Sequence, residues 1–173
     1  MRLAVKDANV FIDLESMGLL DLWFQLGIET ITSSFVVMEL EDGDHQNALA
    51  CIRAGQAIEA VISQHEMEKA FEELRSECVS SGLSITDISV MYLAIREDAI
   101  LLSGDKQLRT FAKVRSVEIH GTLWIMDRLV EAGLLAKRVA AQRLENLLLR
   151  TGGNQRYLPK GECHTRITRW LKG

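Results

Sequence analysis

Short apolar runs alternate along this chain with longer stretches in which apolar residues recur every three or four positions. The short runs predict strands that are buried on both faces of a sheet, and the longer stretches predict helices with one buried face. The clearest example is residues 83–105, where Ser84 lies three residues before Asp87 and apolar side chains follow at helical spacing. Ser84 is therefore predicted to cap a helix, which leads into a strand at residues 99–102.

The same pattern predicts five strands, and helices lie between them. Because strands and helices alternate, we predict a three-layer α/β/α sandwich around a central parallel sheet of about five strands. One helix is predicted for residues 10–26, and a loop is predicted for the acidic residues 41–44. The predicted strands are residues 2–6, 29–32, 57–62, 99–102 and 117–119.

Beyond residue 121 the pattern changes to helices alone. We predict a core domain at residues 1–125 and a basic, helical extension at residues 126–173 that packs on it with its basic residues outward. A chain of 173 residues can bury one sizeable core, so a single domain with an appendage is expected.

The composition indicates an ordinary globular protein, with 47% apolar and 25% charged residues. No stretch approaches the roughly 20 apolar residues of a membrane span, and charged residues interrupt the N-terminal region where a signal peptide would be apolar. The three cysteines share no metal-ligand spacing and are expected to be reduced thiols. We therefore expect a cytoplasmic protein without a membrane partner.

Charge is distributed unevenly along the chain. Residues 1–136 contain 11 Lys and Arg against 22 Asp and Glu, whereas residues 137–173 contain 9 against 2. An acidic body with a basic tail suggests either an anionic partner or neutralisation of the body by the tail, and composition does not choose between them.

Four acids stand where an open parallel sheet would gather them, at strand ends and helix starts: Asp7, Glu39, Asp87 and Asp105. Taken singly, an Asp after a strand is often a helix cap and a Glu in a helix is often solvated. Together, like charges held close need a cation to neutralise them, and oxygen ligands suit Mg²⁺ or Mn²⁺. Asp13, Glu41 and Asp127 are interpreted as surface acids, and the four histidines are scattered.

At these residues the sequence resembles the PIN-domain family, the metal-dependent nucleases that include the VapC-like toxins of toxin–antitoxin pairs. The resemblance covers roughly residues 1–125. The matching segments are Asp7-Ala8-Asn9, Ser34 followed by Glu39-Leu40, Asp87 followed by Ala94, Ser103-Gly104-Asp105, and His120-Gly121-Thr122-Leu123.

The resemblance implies a fold, a site and an activity. The fold would be a five-stranded parallel sheet between helices, with Asp7, Glu39, Asp87 and Asp105 around one or two Mg²⁺ or Mn²⁺ ions. Asn9 and Ser103 would support these ligands. The activity would be hydrolysis of RNA, and the expected partners would be RNA, a second copy in a homodimer, and a small antitoxin that blocks the acidic pocket.

Three other interpretations remain open. A phosphatase with an acidic pocket would also place an Asp after its first strand, but it needs a second Asp where Asn9 stands. A phosphorylated receiver domain wants an Asp after strand three, where the chain has residues 63–65, Ser-Gln-His. A PIN fold retained as a binding module for nucleic acid or protein, without nuclease activity, is the third.

RNA phosphates need cations that a site of four carboxylates does not supply. The basic tail is the predicted source, with Arg150, Arg156 and Lys160 as the candidate RNA-binding residues. The alternative is that the basic residues of the tail form ion pairs with the acidic body and serve only to hold the tail against it.

Overall fold

A five-stranded sheet, parallel throughout, forms the centre of the chain, in the order β3-β2-β1-β4-β5. The structure is a computed structural model that describes residues 3–150 and 158–172, except for the side chain of Arg150. The predicted α/β fold with about five parallel strands is confirmed. The strands are β1 (Leu3–Lys6), β2 (Glu29–Ser33), β3 (Ile58–Ala60), β4 (Ile100–Leu102) and β5 (Ile119–His120).

Helices connect the strands and cover the sheet. Residues 64–77 form one continuous helical unit, in which a π-helical segment, Met67–Phe71, joins two short α-helices. The helices are α1 (Ala8–Ser16), α2 (Leu20–Phe24), α3 (Ser34–Asp42), α4 (Gln46–Arg53), α5 (Gln64–Glu66), α6 (Glu72–Glu77), α7 (Ile85–Arg96), α8 (Lys106–Val114), α9 (Thr122–Glu131), α10 (Lys137–Arg150) and α11 (Lys160–Lys172).

Helix α7 packs on three strands, β1, β2 and β4, and contributes much of the core. Its start is the predicted cap: the Ser84 hydroxyl accepts from the backbone N–H of Asp87, and the Asp87 carboxylate accepts from the backbone N–H of Ser84. Two backbone N–H groups that the helix itself cannot pair are thereby hydrogen-bonded, which fixes where the helix begins. A buried hydrogen bond of 2.6 Å between the hydroxyls of Ser89 and Ser33 ties α7 to the end of β2.

Two predicted boundaries are wrong. The helix predicted for residues 10–26 is broken into α1 and α2, because Gly18 adopts φ +63° and accommodates a left-handed turn between them. The acidic loop predicted for residues 41–44 begins later, since α3 continues to Asp42 and Gly43 is its C-cap.

The C-terminal helices are attached to the rest of the chain by some of their own cations. Arg166 donates to the Asp127 carboxylate of α9 at 2.8 Å, and Arg169 donates to the same carboxylate. Arg143 of α10 donates to the carbonyls of Met17 and Gly18, the latter at 2.7 Å. The expectation that the extension keeps its basic residues on the outer side is therefore wrong for Arg143 and Arg166.

Asp127 was expected at the surface, and that expectation is also wrong. Its side chain is only 13% exposed, because the two arginines of α11 cover it. The division of the chain at residue 125 into a core and an extension stays a prediction. Among the described residues no helix is both long enough and apolar enough to cross a membrane.

Lys6, the last residue of β1, is completely buried. Its Nζ lies 4.5 Å from the ring centre of Phe11, 4.6 Å from that of Trp23 and 5.1 Å from that of Phe24. No hydrogen-bond acceptor reaches this nitrogen within the described part of the chain. Burial therefore lowers the pKa of the Lys6 amine well below its usual value of 10.5.

We expect Lys6→Met to raise the free energy of unfolding by roughly 1–4 kcal/mol near pH 7, because Met fills a similar volume without a buried polar group. The folded pKa of Lys6 is depressed, so the unfolded chain binds the extra proton and the folded state loses stability as pH falls below about 10. The gain should therefore be larger near pH 7 than near pH 10.

Thermal unfolding followed by circular dichroism at the two pH values measures this difference. Lys69→Met, at an exposed lysine of the π-helical segment, is the control and should change little. Destabilisation by Lys6→Met at both pH values would show that attraction between the amine and the three rings outweighs the cost of burial.

Candidate metal and catalytic site

The candidate site lies at the carboxyl edge of the sheet, between β1 and β4. The chain leaves β1 towards β2 on one side and leaves β4 towards β5 on the other, so the connections diverge at this point. Open α/β sheets form a ligand crevice at such a switch point. Asp7 follows β1 and Ser103 follows β4, which brings the two residues to the same crevice.

Asp7 is the buried centre of this site, with 3% of its surface exposed. Its Oδ1 accepts from the backbone N–H of Ala8 at 2.8 Å, so the carboxylate caps α1. Its Oδ2 accepts from Asn9 Nδ2 and from the Ser103 hydroxyl, both at 2.7 Å. The carboxylate is thus held in one orientation by bonds from both sides of the crevice.

Asn9 and Ser103 also fix the loop that follows β4. Asn9 Oδ1 accepts from the backbone N–H of Gly104 at 3.0 Å, and the Ser103 hydroxyl accepts from that of Asp105 at 3.1 Å. Both residues therefore contact Asp7 and position the segment that carries Asp105. Their predicted role in supporting metal ligands stays a prediction.

Asp87 of α7 and Glu39 of α3 interact electrostatically with Asp7. Asp87 Oδ2 accepts from the backbone N–H and the hydroxyl of Ser84, at 2.8 and 2.7 Å. Glu39 is exposed on α3. Burial raises the pKa of the Asp7 carboxyl from 3.8 to about 7, and the negative charges of Asp87 and Glu39 contribute to this rise against the hydrogen bonds from Ser103 and Ala8.

Asp105, the fourth predicted acid, caps α8. Its Oδ1 accepts from the backbone N–H of Leu108 at 2.7 Å. Its own backbone N–H reaches the Ser103 hydroxyl, which in turn bonds Asp7. The structure therefore brings Asp87 and Glu39 into electrostatic range of Asp7 and links Asp105 to it through Ser103.

The oxygen donors of these acids fit Mg²⁺ or Mn²⁺ in their chemistry. A carboxylate offers about four acceptor positions. Oδ1 of Asp87, Oδ2 of Asp105 and both carboxylate oxygens of Glu39 have no hydrogen-bond donor within residues 3–150 and 158–172. In that part of the chain, however, no three carboxylate, imidazole or thiol side chains lie close enough to share an ion. Binding would therefore require rotation of the outer acids towards Asp7.

Asp13 of α1 has a bonding partner that the sequence does not indicate. Its Oδ2 accepts from the hydroxyl of Thr122 at 2.6 Å, and burial raises the pKa of the Asp13 carboxyl to about 6. The interpretation of Asp13 as a surface acid is wrong, because α9 starts at Thr122 and packs against α1. The contact joins residues 109 positions apart, and no local pattern signals it.

A protein-family model, DUF3368, described as a PIN domain, matches residues 3–170. The chain belongs to the PIN-domain family. The resemblance inferred from the short segments around the four acids is thereby confirmed. The match extends over nearly all of the described residues, including α10 and α11.

The fold of this PIN-domain chain is shared with a solved structure, the crystal structure of VapBC2 from Rickettsia felis bound to a DNA fragment from their promoter. The likeness has a TM-score of 0.50 and 19% sequence identity, and it covers 69% of this chain and 98% of the other. At this identity it shows the fold. No curated protein sequence matches the chain.

We expect the PIN-domain chain to bind Mn²⁺ at the acid site, and Asp7→Asn together with Asp105→Asn to abolish that binding. The two substitutions remove charge from the buried centre and from the β4 side of the crevice while keeping an acceptor oxygen at each helix cap. Calorimetric titration with Mn²⁺ measures the loss. Asp13→Asn removes a partly buried acid of the same helix and should bind as the unaltered chain does. An unchanged titration of the double variant would refute the site.

Asp7→Asn alone should also stabilise the metal-free chain at alkaline pH. The folded pKa is raised from 3.8 to about 7, so the unfolded chain releases its proton first and folding loses stability as pH rises through this window. The full cost is roughly 4 kcal/mol above pH 7. The melting temperature should rise near pH 8 and change little near pH 4, and the opposite order would show that Asp7 is ionised at low pH.

Proposed function

We propose that this chain is an endoribonuclease that hydrolyses RNA phosphodiesters with Mg²⁺ or Mn²⁺ held by Asp7, Glu39, Asp87 and Asp105. The observation that carries the proposal is the buried carboxylate of Asp7 at the sheet switch point, with the charges of Asp87 and Glu39 acting on it. A buried acid among like charges is unfavourable unless a cation is bound.

The chemistry divides between the ion and the protein. When bound, the ion lowers the pKa of a coordinated water and offsets charge on the phosphate. The residues orient the site: Asn9 and Ser103 hold Asp7 Oδ2, and the helix caps hold Asp87 and Asp105. Asp7 must release its proton to ligate the ion, so binding should strengthen as pH rises towards 8.

RNA is the proposed substrate because the chain belongs to the PIN-domain family and its sequence resembles the VapC-like toxin ribonucleases of that family. Single-stranded RNA is favoured over a duplex, since unstacked bases are the usual targets of sequence-reading proteins. The proposal places the chain in the cytoplasm, where such RNA is found.

We expect the purified chain to cut single-stranded RNA with Mg²⁺ or Mn²⁺ and to stop when a chelator removes the ion. Asp7→Asn should lower the rate by at least about 100-fold, because the buried ligand is lost. Gel analysis of labelled RNA measures cleavage. Asp13→Asn is the matched control and should keep most of the activity, since Asn can still accept from Thr122.

A binding module is the second candidate function. It is favoured by one observation, that no three potential ligands are gathered around one point within the described residues. A chain that binds RNA but leaves it uncut with either ion, after separation from any antitoxin, would support this candidate and refute the nuclease.

The receiver and phosphatase interpretations fit the structure less well. A receiver-type sheet has its third strand inside the sheet, whereas β3 here is at the edge. A phosphatase of the kind considered needs an Asp where Asn9 stands, and Asn9 instead uses both ends of its amide to join Asp7 to Gly104.

A toxin of a toxin–antitoxin pair is the proposed biological role, supported by the shared fold with VapBC2. A small antitoxin and a homodimer are the proposed protein partners. Expression of the chain alone in bacteria should arrest growth, because uncontrolled RNA cleavage stops translation. Colony counts after induction measure the effect, with Asp7→Asn harmless and Asp13→Asn as toxic as the unaltered chain. Harmless expression of an active nuclease would contradict the toxin role only.

A further inference from the structure

A cavity of about 580 Å³ lies beside the acid site, between α8, the start of α9 and α11. Gly104, which separates Ser103 from Asp105, forms part of its wall. The cavity and the acid site are also joined across the sheet, because the backbone N–H of Ser103 donates to the carbonyl of His120 at 2.9 Å. An extended ligand that crosses the acid site, such as a nucleic-acid strand, can therefore continue into this cavity.

The wall formed by α8 carries three cations. Lys106, Arg109 and Lys113 fall at i, i+3 and i+7, which places them on one side of the helix. Leu108 and Ala112 are buried on the other side. Neither lysine forms an ion pair with an acid in residues 3–150 or 158–172, so within this part of the chain their charges are not neutralised.

Arg109 connects the cationic wall to the acid site. Its Nη2 donates to the carbonyl of Ser103 at 3.0 Å. Gly121 leaves room for this approach, because a Cβ at that position would lie 3.0 Å from the same nitrogen and would crowd it. The guanidinium is therefore held in place next to the residue that bonds Asp7.

An aromatic pair lies on the same cavity wall. The rings of His120 and Trp124 are stacked, with centroids 4.3 Å apart and an angle of 7° between their planes. His120 Nε2 lies 2.8 Å from a carboxylate oxygen of Glu118, which fixes the imidazole in this orientation. A flat aromatic surface next to cations is the combination on which single-stranded nucleic acids bind.

The remaining charges of the cavity neutralise each other. Glu162 of α11 lies in the wall, but its carboxylate accepts from Arg166 at 3.2 Å, and Arg166 is also bonded to Asp127. Leu158 and Pro159 complete this side of the cavity. Helix α11 thus supplies a wall, and α8 supplies the charge that is available to a ligand.

We propose that this cavity binds a nucleotide of single-stranded RNA next to the cleavage site, with its phosphates on the cations of α8 and its base on the His120–Trp124 pair. The inference rests on the proposed function and assigns RNA-holding groups beyond Arg150, Arg156 and Lys160. Lys160 is exposed at the start of α11, whereas the side chain of Arg150 and the whole of Arg156 lie outside the described residues. An acidic peptide would use the cations but gain little from the aromatic pair.

Fluorescence anisotropy of a labelled, mixed-sequence RNA of about ten nucleotides measures binding and tests the proposal. A chelator is present so that the RNA is not cut. Lys106→Gln with Lys113→Gln should flatten the log–log salt slope by about 1.4, since each phosphate contact on a single strand contributes about 0.7. Lys69→Gln with Lys137→Gln changes the net charge equally at exposed positions away from the cavity and should leave the slope unchanged.

The aromatic pair is tested separately. His120→Ala should weaken RNA binding by about tenfold without changing the salt slope, because stacking is lost and no phosphate contact is. His120→Phe keeps a flat ring and should bind as the unaltered chain does. Unchanged melting temperatures of the variants show that the fold is retained. Weak binding by both His120 variants would overturn the stacking role.

The outcomes separate this proposal from the nuclease. Equal slopes for the cavity variant and its control, in a chain that cuts RNA, would overturn the subsite and leave the nuclease intact. Cavity-dependent binding without cleavage by either ion would support the subsite and refute the nuclease. A further contrary result is displacement of the RNA by a poly-glutamate peptide while His120→Ala leaves the RNA affinity unchanged. That result would refute RNA as the ligand of the cavity and favour an acidic peptide.

Discussion

The hydrogen bonds that join Asp7 to both sides of the crevice are the constraint on which the site depends. Asp7 follows the central strand β1, caps α1 and accepts from Ser103 after β4. The backbone N–H of Asp7 also continues the pairing of β1 with β4 by donating to the carbonyl of Leu102 at 3.0 Å. One residue therefore sets the start of a helix, the spacing of two strand ends and the position of the buried charge.

This arrangement is electrostatically unfavourable in the protein alone. Burial and the charges of Asp87 and Glu39 oppose ionisation of Asp7, and the bonds from Ser103 and Ala8 offset only part of that cost. Two strongly buried ionisable residues, Lys6 and Asp7, are adjacent in sequence, yet Lys6 contacts aromatic rings and the Asp7 carboxylate bonds Asn9 and Ser103. Successive residues of a strand point to opposite faces, so the neighbouring amine does not neutralise the acid.

Local patterns in the sequence predicted the elements that depend on interactions between residues close together in the chain. The short apolar runs located the five strands, and the spacing of Ser84 and Asp87 located the start of α7. The break at Gly18 was missed because the apolar periodicity continues through it. Asp13 and Asp127 were misplaced because their partners, Thr122 and the arginines of α11, are distant in sequence. Periodicity carries no information about such tertiary contacts.

The cations available to a ligand are not where the net charges of the two parts of the chain suggest. Arg143, Arg166 and Arg169 of the basic tail are engaged by carbonyls and by Asp127, so they attach helices and are poorly placed to bind phosphate. The cations of α8 lie within residues 1–136, whose net charge is negative, so the net charge of that segment does not reveal them. Their spacing along the helix can nevertheless be seen in the sequence. Lys106 follows Asp105 directly, yet Asp105 bonds the backbone of Leu108. Within the described residues, the carboxylates of the acid site and the lysines of α8 therefore lie close in the chain without forming ion pairs, which leaves the acids free for a cation and the lysines free for an anion.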